Sequence, residues 1–276
     1  MKMLCFFLLL PGFWTPSRAQ AQAEDKWDTY AARFDKGTGS VMLDMDLKSR
    51  APLADYPYLL IVVTHYKDCL ANGLPERDEF ANLYNIDDSV QACLNRIVRN
   101  VAAGTFTYQC QRRDYYYLPD TAGVRQALST QMGPTAHLFA EHGFEVVIHS
   151  DPEWNGYLKF LYPSDLTYEY MLNQKIIGKL IEKGDSLDKA RPVDHFLYFT
   201  TPMDRDRFVA FCGLHGFDVV SSDSTGLQDR TYSLHIVRTD KVDLESISEL
   251  TLTLRKEAAR CNGIYDGWET YVVKGR

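Results

Sequence analysis

A thiol four residues after an imidazole, His65 and Cys69, is the raw material of a nucleophile and its base. The chain offers three further groupings of comparable type. Cys212 and His215, three apart on a helical stretch, have the spacing of two metal ligands. Asp44 with Asp46, and Asp151 with Glu153, are carboxylate pairs of the kind that serve as general acid and base or hold calcium. Each also has a plainer reading. No third group beside His65 and Cys69 orients a base. Cys212 belongs to an apolar stripe and His215 stands beside the helix-stopping Gly216, which suits a buried thiol and a helix-end histidine. Asp44 and Asp46 share one face of an alternating strand, as a solvated face would. No GxGxxG, GxxxxGK, GxSxG or HExxH is present, and Gly37-Thr38-Gly39 precedes a strand where a nucleotide-binding loop would precede a helix. No catalytic residue, cofactor or metal site is therefore expected.

Two aromatic runs suit contact with another protein. In "RDYYYLPD", Arg113, Tyr115 and Tyr117 share one strand face, with Tyr116 and Leu118 on the other. In "CNGIYDGWETYVV" near the C-terminus, Tyr265 and Trp268 are three apart, on opposite faces of an undistorted strand; a bulge at Gly267 would bring them together. Exposed, the residues Tyr115, Tyr117, Tyr265, Asp266, Gly267 and Trp268 would make partner anchors. Buried, the aromatics are core, which is the commoner fate of strand aromatics.

The elements that position these residues fall into two halves. "SVMLDMDL" alternates as a half-buried strand, and "YLLIVVTHY" is continuous in β-formers. Pro75 can open a helix whose apolar face runs through Phe80, Leu83, Ile86, Val90, Cys93 and Ile97. "TFTYQC", "RDYYYL", "FEVVIHS" and "YLKFLYP" read as strands, with a helix from about Ala122 to His142. Together they give β-β-α-β-β-α-β-β, an α+β sheet with helices on one face. A helix from about Leu166 to Lys183 then leads into the second half. There "HFLYFT", a helix capped by Thr201, "FDVVSS", "YSLHIVRT", a helix capped by Asp243 and stapled by Val242 and Ile247, and "IYDGWETYVV" follow in turn. That order, β-α-β-β-α-β, is the ferredoxin-like plan of a four-stranded antiparallel sheet under two helices. The expected segments are 1–21, 24–163 and 164–276.

The chain has 276 residues and a net charge of −7. Residues 1–21 have a positive start, a short apolar run and Ala-x-Ala spacing, the layout of a cleaved secretory signal, and the run is too short to span a bilayer. Cleavage removes Lys2 and Arg18, leaving a charge of about −9. A periplasmic or secreted protein is expected, without a membrane span once the signal is gone. Such an acidic chain lacks the basic stripe that binds nucleic acid. Five cysteines remain, an odd number, so at least one is unpaired. Cys212 and Cys261, each near the C-terminal end of its own antiparallel helix, are expected to be free thiols. Pairing among the others is open.

The segments "VDHFLYF", "FVAFCGLHGFDVV", "SLHIVRTDKVDLESISELTLTL" and "CNGIYDGWET", over roughly 191 to 273, resemble the regulator of ribonuclease E activity B family. The resemblance implies a ferredoxin-like domain that works by binding a protein, with no chemistry of its own. The first half, through "WDTY", "YPYLLIVVTHY", "NGLPERDEF", "YYYLPD" and "DPEWNGYLKFLYP", resembles the domain-of-unknown-function 695 family, for which no activity is implied. Ribonuclease E is cytoplasmic, so an exported chain would need another target. The expectation is an exported, non-catalytic interaction or regulatory protein. The alternative is a small-molecule binder or hydrolase, whose mark would be a concave polar pocket between the two domains.

Overall fold

The computed structural model describes residues 27–130, 141–224 and 232–274. Two antiparallel sheets organise the chain. The first contains β1 (Trp27–Phe34), β2 (Gly37–Asp44), β3 (Tyr58–His65), β4 (Val101–Tyr108), β5 (Gln111–Leu118) and β6 (Phe144–Ser150), in the order β1-β2-β4-β5-β3-β6. Among the described residues, α1 (Glu79–Ile97) and α2 (Val124–Thr130) cover one face of it; the helix expected from about Ala122 to His142 runs past Thr130 into residues 131–140, which lie outside the described residues. Leu83, Ile86, Val90, Cys93 and Leu94 of α1 are buried, and from Ile86 onward they join Leu60, Val62, Tyr116 and Leu118 in one apolar cluster. Phe80 and Ile97, expected on that stripe, are exposed at its two ends.

The opposite face packs against a 3-10 helix (Met45–Ser49) and a π-helical turn (Gly156–Leu161). There Tyr117 stacks on Trp154 with ring centroids 3.8 Å apart, among Leu43, Leu59, Tyr115, Tyr157 and Leu161. Burying a large side chain of this kind contributes on the order of 2–3 kcal/mol.

Three local expectations are corrected. "YLKFLYP" is the π-helical turn, because Asp151 accepts from the Asn155 and Gly156 amides and bends the chain into a helical start. "SVMLDMDL" leaves the strand at Asp44, whose carboxylate caps the 3-10 helix by accepting from the Asp46 amide. Asp44 is therefore buried, away from any solvated face. Pro75 precedes α1 by a whole loop, since Leu70 and Leu74 close a turn and a Cys69–Cys110 disulfide (Cα–Cα 5.7 Å) pins that loop to the β4–β5 hairpin. The first strand, β1, was not expected at all.

The second sheet has the order β10-β7-β9-β8, from β7 (Arg191–Phe199), β8 (Asp218–Asp223), β9 (Tyr232–Asp240) and β10 (Gly263–Glu269). With α4 (Pro202–Leu214) after β7 and α5 (Leu244–Arg260) after β9, it is the ferredoxin-like arrangement. Thr201 caps α4 by accepting from the Asp204 amide, and Asp243 caps α5 by accepting from the Ser246 amide. Val242 and Ile247 are both fully buried beside it. A further helix, α3 (Asp165–Glu182), packs along α5. Cys93, Cys212 and Cys261 are free and buried.

Candidate functional site

The end of β10 is shaped by a bulge. Its register on β7 shifts between Tyr265 and Gly267, and Gly267 takes a φ of +155°. The shift turns Tyr265 and Trp268 to the same, helix-covered side, where they are 2% and 6% exposed. Tyr265 meets Nδ1 of His195 at 2.9 Å, and the guanidinium of Arg255 lies over its ring. Trp268 donates through Nε1 to Oδ1 of Asn173 at 2.7 Å; the amide nitrogen of Asn173 donates in turn to Ser248 and Thr251. Tyr115 and Tyr117 are buried as well. As placed, these four aromatics belong to the core. Burial lowers the His195 imidazole to about 3, with the Arg238 charge adding to the effect.

Only Asp266, of the side chains singled out in the tail, reaches solvent. It leads to a surface that its neighbours in sequence did not announce. Strand alternation sends one residue in two to the sheet face opposite the helices. On β7 these are Asp194, Phe196 and Tyr198, paired with Val237, His235 and Ser233 of β9. Ile264 of β10 lies beside Tyr198, while Asp218 and Ser221 of β8 lie beside Val237 and His235. Phe196 and His235 stack with centroids 4.7 Å apart, and His235 Nε2 meets Asp194 at 2.7 Å. A shallow depression of about 200 Å³ opens between Phe196, Tyr198, Ser221, Ser233 and His235. Around this apolar and aromatic centre stand Asp194, Asp218, Asp223, Asp266 and Glu269. Arg191 and Arg238, the basic residues of these strands, turn away: Arg191 is buried against Asp185, and Arg238 donates to the His215 carbonyl behind the sheet. The face is thus anionic at its rim and apolar at its centre. Carboxylates surround the aromatic and aliphatic residues of this face.

The groupings that suggested chemistry are occupied by the fold. Cys69 is in a disulfide, and His65 pairs with Glu145 at 3.0 Å. Cys212 lies in the apolar core, where burial raises its thiol to about 11, and His215 ends α4 beside the Phe211 ring. Asp151 is desolvated, yet donors from Gly156, Tyr117 and Asn155 hold its carboxyl below the usual range. Glu153 is exposed and shares none of these bonds. Among the described residues, no cluster of three His, Cys, Asp or Glu is disposed to hold a metal ion. No described helix is long and apolar enough to cross a membrane.

Between the two sheets, β1 faces α3 across a groove of about 470 Å³ lined by Tyr30, Ala31, Ala32 and Arg33 of β1, Thr167, Tyr170, Met171 and Gln174 of α3, and Leu244. Lys175 and Asp28 form an ion pair nearby. The groove is concave, but no carboxylate, histidine or cysteine lines it, and the Tyr30 hydroxyl is already donated to the Leu161 carbonyl.

Residues 171–270 match the family described as Regulator of ribonuclease activity B. No curated protein matches the chain. Solved structures similar to it include an unknown protein from Galdieria sulphuraria, at 10% identity over 78% of this chain and 99% of that one, with a TM-score of 0.22. Another is a putative glycine cleavage system transcriptional repressor, at 8% identity over 78% and 98%, with a TM-score of 0.24. Residues 25–162 match the Family of unknown function (DUF695), and the chain belongs to that family.

Proposed function

We propose that this chain is a non-catalytic regulatory protein that docks on a basic protein surface through the outer face of its second sheet. The observation that carries the reading is the composition of that face: aromatic and aliphatic side chains at the centre, a carboxylate rim, and no outward Lys or Arg on its strands. The match to a family named for regulating a ribonuclease activity supports a role exercised on another protein. Depleted central charge with aromatic residues is the composition of an interface core, and the acidic rim adds steering toward a basic partner.

Export is part of the same proposal. Residues 1–21 have the layout of a secretory signal, and a disulfide such as Cys69–Cys110 persists in an oxidising compartment. The target would then lie outside the cytosol. Cell fractionation with sequencing of the mature N-terminus tests this part: cleavage after Ala21 or Ala23 is expected, and an intact Met1 in the cytosol contradicts it.

Affinity capture with wild-type protein and with an Asp194→Lys/Asp266→Lys variant tests the docking. Partners should be basic, and they should be lost from the variant and at raised salt. Identical capture by both proteins would rule the face out.

A further inference from the structure

The first sheet carries a second anionic site of a different kind. α1 crosses the sheet over β3 and β5, and beside it a groove of about 330 Å³ opens over β1, β2 and β4. Trp27 and Met42 supply its apolar wall, Asp87, Asp88 and Gln91 of α1 its polar wall, and Asp114 its floor. Trp27, Met42, Thr105 and Asp114 share this side of the sheet by register, since Met42 pairs with Thr105 and Thr105 with Asp114.

Asp114 is 2% exposed. Its Oδ1 accepts from Nε of Arg112 and from the Thr105 hydroxyl, both at 2.8 Å, while its Oδ2 has no hydrogen-bond partner. Arg112 is shared with a second carboxylate, donating to Asp87 at 3.1 Å, and Tyr116 donates to the other oxygen of Asp87 at 2.7 Å. One guanidinium therefore serves two aspartates, and Asp88 adds a third negative charge at the rim. A buried carboxylate with a free oxygen and only a shared counter-charge is a costly arrangement. A second cation arriving in the groove would remove that cost.

We propose that this groove binds an organic cation, an ammonium or guanidinium group on a short apolar stem, with the charge toward Asp114 and Asp87 and the stem against Trp27 and Met42. The same chemistry is carried by a free amine and by a Lys or Arg side chain of a peptide. Burial raises the Asp114 carboxyl to about 6, opposed by Arg112 and reinforced by Asp87, which would make occupancy weaken as pH falls through that range. The charged or titratable neighbours are Arg112, Tyr115 and Tyr116 of β5 and Tyr84, Asp87 and Asp88 of α1. Thr105 of β4, Met42 of β2 and Trp27 of β1 carry no charge there. This site is independent of docking by the second sheet, so either can fail alone.

Among the described tryptophans Trp27 gives the readout, because it lines the groove and is 40% exposed, whereas Trp154 and Trp268 are buried; Trp14 falls within residues 1–21, so the chain is titrated without them. Titration of the purified chain with butylguanidinium, butylammonium and a blocked peptide with one central Arg should give a saturable change in Trp27 emission at neutral pH. A response to the small cations alone assigns a small-molecule site; tighter binding of the peptide assigns a peptide site. Asp114→Asn should weaken binding about 30-fold or more, as removing one partner of a buried charge pair does. Should that variant fold poorly, Met42→Trp fills the groove and should abolish the response, and Trp27→Phe should remove the signal while calorimetry still registers binding. No saturable response to any of the three probes, or equal binding by wild type and Met42→Trp, would overturn the proposal.

Discussion

Trp268 Nε1 and Asn173 Oδ1 are 2.7 Å apart, 95 residues apart in sequence, and both side chains are buried. This bond ties the last strand to α3, and through Ser248 and Thr251 to α5, so one amide organises three elements. Asn173→Leu would leave the indole N–H without its acceptor and the Ser248 and Thr251 hydroxyls without the amide donor, although Thr251 still donates to the Ser248 carbonyl. A loss of roughly 2–4 kcal/mol in urea unfolding is expected from one to three unsatisfied buried groups. A loss below about 0.5 kcal/mol, the scale of a surface substitution, would show the network to be incidental.

His195 makes stability depend on pH. Its folded value is lowered to about 3 against 6.5 unfolded, so between those values the unfolded chain binds the extra proton and stability falls as pH falls. The contribution is whole above 6.5 and has lost about 2 kcal/mol by pH 5. Arg238 and His235 oppose protonation and Asp194 favours it. His195→Leu should flatten the stability curve between pH 5 and 7, followed by denaturant midpoints. An unchanged slope in that variant would assign acid lability elsewhere.

The two glycines of the tail are required for different reasons. A Cβ on Gly263 would lie 2.5 Å from the Phe199 ring and 3.0 Å from the Tyr198 carbonyl, a steric conflict with the neighbouring strand. Gly267 has open space around its Cα but a φ of +155°. Gly267→Ala should cost about 1–3 kcal/mol through backbone strain. Gly263→Ala should shift the Phe199 ring and broaden its NMR signals. Matching thermal midpoints for wild type and Gly267→Ala would show that the bulge tolerates a side chain.

Reduction separates the two units. Cys69 and Cys110 close a loop of 41 residues, worth about 4 kcal/mol on the chain-entropy estimate. A Cys69→Ala/Cys110→Ala chain should lose roughly 2–4 kcal/mol in the first unit and leave the second unchanged. Thiol titration of the oxidised native chain should find Cys93, Cys212 and Cys261 protected until unfolding, since all three are buried. Rapid modification of Cys212 in the native state would contradict this packing.

The second unit was readable in sequence because its signals agree: Thr201 and Asp243 cap where the apolar periodicity begins, and Gly267 marks the bulge. The first unit was less so. β1 mixes Trp27, Asp28, Thr29, Tyr30 and Arg33 with two alanines, as an edge strand paired only to β2 can, and so lacks a clean alternation. "YLKFLYP" has a strand's composition, and its helical bend is dictated by Asp151, five residues before Gly156. The outward acidic face was hidden for a similar reason. Asp194, Asp218 and Asp266 are far apart in sequence: register across β9 puts Asp194 and Asp218 on one face, and Asp266 sits at the bulge of the opposite edge strand. The Asp114 groove likewise depends on β4 and β5 pairing Thr105 with Asp114, which no local pattern signals.

A photo-crosslinking side chain placed at Ile264, on the outer face of the second sheet, and at Met203, on the helix layer behind it, tests the docking surface most directly; both positions are exposed. Crosslinks to a second, basic protein from position 264, absent from position 203, are predicted. Crosslinks from 203 alone, or none from 264 in cells that express the chain at its native level, would contradict it.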